Sequence, residues 1–122
     1  MKIGLHIDGK DANSSKVAEA RQLERIIRDA RKGDWEAKEL LFQKFLPLIT
    51  TLVDKRSRDT AMVNKYVEAA KAGLLTAANK YSAAVGPDHF RIFALDFIEK
   101  QMDYVERRQV GFFSRLFGSF MK

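Results

Sequence analysis

Cysteine is missing altogether from the 122 residues, which removes disulfides, thiolate metal sites and cysteine nucleophiles together. Such a chain suits a reducing compartment, and a cytoplasmic location is expected. Two prolines and seven glycines leave little turn chemistry. No apolar run approaches the roughly 18 residues of a spanning helix. The opening MKIGLHIDGK has no apolar core of signal-peptide length, so export is not expected. Also missing are a phosphate loop, a nucleotide-binding glycine fingerprint and an HExxH pair. His6 and His89 lie far apart in the chain, and Ser57 and Ser114 have no evident base partner. His89 reads as a surface residue at a helix start. These absences point away from an enzyme, and no catalytic residue, metal ligand or cofactor is assigned.

What is present is helical material. Ala, Leu, Lys, Glu and Arg, the good helix formers, fill long stretches. A hydrophobic fraction of 46% with 31% charged residues fits one globular domain with a single modest core. The expected class is all-α. A net charge of +6 suggests an acidic partner, either nucleic acid or an anionic membrane surface; a basic solvated face is the plainer reading.

Residues 3 to 7, IGLHI, alternate before the turn pair Asp8-Gly9 and suit a short strand, but no second strand is evident to pair with it. Residues 1–13 are therefore read as an N-terminal arm, open to disorder. Ser14 and Ser15 are candidate N-caps for a first helix, with Leu23, Ile26, Ile27 and Ala30 as its stripe and Gly33 as its stop. Asp34 caps a second helix, in which Leu41, Phe45, Leu48 and Leu52 recur and Pro47 predicts a kink. After the polar connection DKRSRD, a third helix spans about Thr60 to Ser82. Met62, Tyr66, Ala69, Gly73, Ala77 and Tyr81 line its face, where small residues permit close approach of a neighbour. Gly86-Pro87 breaks the chain and Asp88 caps a fourth helix. The stripe of that helix is Phe90, Phe93, Ala94, Phe97, Ile98, Met102 and Val105. The expected domain covers residues 14–108, followed by a separate amphipathic helix over 109–122.

Three stretches in unbroken order, spanning roughly residues 28 to 108, carry a resemblance. ARKGDWEAKELLFQKFLPLITTLV supplies Gly33, Asp34, Ala37, Leu41, Phe42, Phe45, Pro47 and Leu48. AAKAGLLTAANKYSAAVG supplies Gly73, Leu74, Ala77, Lys80, Tyr81 and Gly86, and HFRIFALDFIEKQM supplies Phe90, Phe93, Ala94, Phe97 and Ile98. Together they resemble conserved region two of bacterial RNA polymerase sigma factors. The resemblance implies a small bundle of about four helices, non-enzymatic, acting in transcription regulation by binding RNA polymerase, DNA or a sigma regulator. It implies a polymerase-binding surface on the third helix, where Glu68 alone keeps the acidic character and Lys65 and Ala69 replace family carboxylates. It implies DNA contacts along the fourth helix, but Asp96 and Phe97 stand where the family has adjacent tryptophans. Lys100 and Asp103 stand where family members read bases, and neither is the usual residue. The family's helix-turn-helix domain has no counterpart within these residues. An alternative keeps the sigma-like scaffold without promoter recognition, as a protein-interaction or membrane-peripheral module.

The candidate nucleic-acid residues are Phe93, Phe97, Arg91, Lys100, Arg107 and Arg108. The two rings either stack on unpaired bases or belong to the core stripe; the cations either contact phosphates or form a solvated face. GFFSRLFGSFMK holds four phenylalanines in twelve residues. On a helical wheel Phe112, Phe113, Leu116, Phe117, Phe120 and Met121 occupy about half the circumference, with Ser, Gly, Arg and Lys opposite. This surface suits packing on its own domain, docking in a partner or a second copy, or an anionic membrane surface.

Overall fold

The computed structural model describes the secondary structure of residues 3–121 and the side-chain environment of residues 14–109 and of Gly111. Within them the chain is a small all-α bundle without strands. Its helices are α1 (Ile3–Arg31), α2 (Trp35–Arg56), α3 (Thr60–Lys80) and α4 (Phe90–Met121), with a 3-10 turn at Pro87–His89.

The α1–α2 corner is made by two adjacent residues. Gly33 has φ 95, the left-handed conformation that lets a helix end. Its N–H bonds to the Ala30 carbonyl at 3.0 Å, and the Asp34 N–H to that of Asp29 at 3.1 Å, which satisfies two carbonyls of the last turn of α1. Asp34 then caps α2, its carboxylate accepting from the Glu36 N–H at 3.0 Å. Asp59 does the same for α3, accepting from the Met62 N–H at 3.2 Å. α2 passes through Pro47. The carbonyl left without its ladder bond, that of Gln43, belongs to an exposed turn open to water.

Three features differ from expectation. Residues 3–13 belong to α1, so Ser14 and Ser15 lie mid-helix and cap nothing. Neither Asp8-Gly9 nor Gly4 stops the helix, since an interior glycine costs only about 1 kcal/mol and leaves its hydrogen bond intact. Residues 109–121 continue α4 without a break at Gly111, so the expected boundary at 108/109 is absent. Asp88 sits inside the 3-10 turn, whose N-cap is Gly86 at φ 78, with no side-chain cap.

The core collects one stripe from each helix: Ile26, Ile27 and Ala30; Ala37, Leu41, Phe45, Ile49 and Val53; Tyr66, Ala69, Ala70, Leu74, Ala77 and Ala78; and Phe90, Ala94, Ile98 and Met102. In α2 the buried row runs through Ile49 and Val53, with Leu48 and Leu52 beside it and half-covered. No polar or charged side chain is buried among the described residues. Hydrophobic burial therefore carries the folding free energy.

α3 and α4 run antiparallel. Tyr81 meets the ring of Phe90, Gly73 lies against Phe97 and Ile98, and Lys65 reaches Gln109. A Cβ at position 73 would lie 2.6 Å from the Phe97 carbonyl oxygen and 2.7 Å from the Ile98 Cα. Both are backbone atoms that cannot step aside, so glycine is required for the approach.

At the closed end, Tyr81 ties three helices together. Its hydroxyl donates to Glu24 Oε2 at 2.8 Å, Arg31 donates to its carbonyl at 3.0 Å, and its ring packs edge-on against Phe90. Burial, with the Glu24 carboxylate close by, pushes the phenol up to about 12.

Gly73→Ala should force α3 and α4 apart and cost roughly 1–3 kcal/mol, read from the urea midpoint of circular dichroism at unchanged slope. A second expectation concerns pH. Unfolded chains lose the Tyr81 proton near the ordinary phenol value of 10, while the folded chain holds it to about 12. The unfolded state then binds fewer protons, so stability falls as pH rises through that window. Tyr81→Phe should flatten the fall only in part, because burial and Glu106 also raise Tyr66.

Candidate functional site on the α3–α4 face

The close crossing at Gly73 opens into a groove toward the start of α3. It is about 770 Å³ in volume and open to solvent. Lys65 and Glu68 of α3 form one wall; Gln101, Tyr104, Arg108 and Gln109 of α4 form the other. Helical spacing explains the second wall, since 101, 104 and 108 are successive three- and four-residue steps on one face. Ala69 and Val105 supply an apolar floor. Lys65 Nζ donates to Gln109 Oε1 at 3.3 Å across the opening. The Arg108 guanidinium lies 5.6 Å from the Tyr104 ring centroid, within cation–π range, and Tyr104 remains half exposed.

Behind the groove sits an electrostatic clasp. Arg56, the last residue of α2, reaches Asp103 at 2.8 Å and Glu106 at 3.0 Å. Its guanidinium also stands 5.8 Å over the Tyr66 ring, and the Tyr66 hydroxyl donates to the same Glu106 oxygen at 3.3 Å. Burial works to lower the Arg56 value, but the hydrogen bonds and charges of Asp103 and Glu106 outweigh it and leave it raised. The clasp joins α2, α3 and α4.

The candidate residues fall into distinct settings. Glu68 opens on the groove, with Lys71 Nζ at 3.8 Å. Arg108 also lines it. Phe93 and Phe97 are half-buried, packed against the core and against each other with ring centroids 5.1 Å apart. Lys100 pairs with Asp96 one turn away at 3.2 Å. Arg91 and Arg107 are exposed, and Arg91 lies about half a turn around α4 from Lys100. Phe112, Phe113, Leu116, Phe117, Phe120 and Met121 lie outside the residues whose side chains are described. Among the described residues no group of three His, Asp or Glu is placed to hold a metal ion.

Tyr104, Gln101 and Gln109 were not foreseen as site residues; the i, i+4 pair of Tyr104 with Arg108 is the signal that marks the face. Exposed apolar side chains elsewhere include Trp35, at 71% exposure in the first turn of α2, and Ile92 at 70% on α4. No known family, curated protein or solved structure matches the chain.

Arg56→Met should lower stability by about 1 kcal/mol, because Asp103 and Glu106 are half exposed and water rehydrates them. Arg56→Lys should recover only part of the loss, since one ammonium cannot fork to two carboxylates. Urea titrations at low and high salt check this, with the difference shrinking in high salt.

Proposed function

We propose that this chain is a non-enzymatic, sigma-like helical protein that acts in transcription regulation by binding a protein partner through the α3–α4 groove, rather than by reading promoter bases. The observation that carries the reading is the division of labour between α3 and α4. The groove places Lys65 and Glu68 side by side on α3, the surface that the resemblance to sigma region two assigns to polymerase contact. Facing them, Tyr104 and Arg108 provide a half-exposed aromatic ring and a guanidinium, the residue types that anchor protein interfaces.

The fourth-helix positions assigned by the same resemblance to DNA are engaged within the protein. Asp103 holds Arg56, Lys100 is matched by Asp96, and Phe93 and Phe97 are packed side by side on the core. A carboxylate at Asp96 also repels a phosphate backbone. These arrangements favour protein recognition over base recognition. Core RNA polymerase is the partner that the resemblance nominates, with a sigma regulator as the other.

The test is capture of purified core RNA polymerase by the full chain and by the double variant Glu68→Lys, Tyr104→Ala. Both positions are exposed, so the helical fold should survive, as circular dichroism would verify. Polymerase capture should fall roughly tenfold or more in the variant, the loss expected when interface anchors are truncated. Equal capture by both chains, or sequence-selective promoter binding by the protein alone, would overturn the reading.

A further inference from the structure

We propose that the distal part of α4 lies on an anionic lipid surface. This inference is independent of the groove and its partner.

The geometry is that of an overhang. α4 has 32 residues and α3 has 21, about 48 Å against about 32 Å at 1.5 Å per residue. Gln109 stands opposite Lys65, so the remaining residues of α3, back to Thr60, extend alongside α4 only to about position 114. α2 has already ended at Arg56, level with Asp103 and Glu106. The last turns of α4 therefore run beyond the ends of both. They keep the helical phase, placing positions 112, 116 and 120 in the angular sector that 94, 98, 102 and 105 occupy within the bundle.

Charge selects the occupant. Beyond Gln109 the stretch holds Arg115 and Lys122 and no acidic residue; Glu106 is the last. A second copy laid parallel, tail beside tail, would bring cations against cations. An anionic bilayer surface supplies the missing counter-charge and, below its headgroups, an apolar layer for phenylalanine and leucine. Duplex nucleic acid would answer the cations but leave the apolar half in water. Interrupted by Gly111, Arg115 and Gly118, the segment has no apolar run long enough to cross a bilayer, so it lies in the interface plane. Gly111 and Gly118 lower its intrinsic helicity, which ties the helix to the surface it meets.

The experiment is co-flotation of the full chain with phosphatidylcholine vesicles, either pure or containing about a third phosphatidylserine. Binding should be roughly tenfold stronger to the anionic vesicles and fall with salt. Phe113→Glu with Phe117→Glu should abolish it, and Arg115→Glu with Lys122→Glu should weaken it, both without loss of the helical body by circular dichroism. In a Trp35→Phe background, Phe117→Trp should shift its emission to the blue on the anionic vesicles alone. Equal or no binding to both vesicle types would overturn the proposal. So would dimerisation by light scattering that depends on Phe113 and Phe117 without vesicle binding, or duplex DNA binding that survives their substitution. Polymerase capture by the same variants stays unchanged, which separates this outcome from that of the groove.

Discussion

The bundle depends on how closely α3 can approach α4, and that distance is set at Gly73. With the backbone of α4 only 2.6 Å from where a Cβ would stand, the two helices touch main chain to main chain. Ala69, Ala70, Ala77 and Ala78 extend the same low ridge along α3, so dispersion contacts accumulate over the whole crossing. The groove is the other side of the same constraint. Beyond the small residues, Lys65 and Glu68 on one helix and Tyr104 and Arg108 on the other hold the surfaces apart.

Electrostatics organises what burial leaves unspecified. The core contains no charge among the described residues, so ion pairs act at its edges, where they fix register at little desolvation cost. Arg56 fastens the end of α2 to α4, and Tyr81 with Glu24 and Arg31 fastens α1 to the end of α3. The two fastenings lie at opposite ends of the bundle. Between them Lys71 covers the Phe42 ring at 4.5 Å, a contact that spreads its aliphatic stem over the α2–α3 seam.

Much of the fold was legible in the residues. Gly33-Asp34 gives both a stop and a start, Gly86-Pro87 marks the break before α4, and apolar spacing located the buried faces of α3 and α4. The extent of α1 was not legible, because alternation over residues 3–7 imitates a strand and two glycines imitate turns. Nor was the continuity of α4 through Gly111: a single interior glycine lowers propensity without enforcing a stop. The groove was out of reach for a different reason. Periodicity identifies the face of each helix but not the register between helices, and only register brings Lys65 beside Gln109, 44 residues along the chain. Arg56 was hidden in the same way, inside a stretch read as a polar connection.

Trp35 occupies the first turn of α2 with 71% of its surface in water, and it is the chain's single tryptophan. Its indole is nearly as wet in the native protein as it would be in a denatured one. Intrinsic tryptophan emission therefore reports the solvent at a helix corner and is almost silent about the core. Optical access to the packed interior falls instead to the tyrosines: Tyr66 at the clasp and Tyr81 against Phe90, each buried and each fixed by a carboxylate.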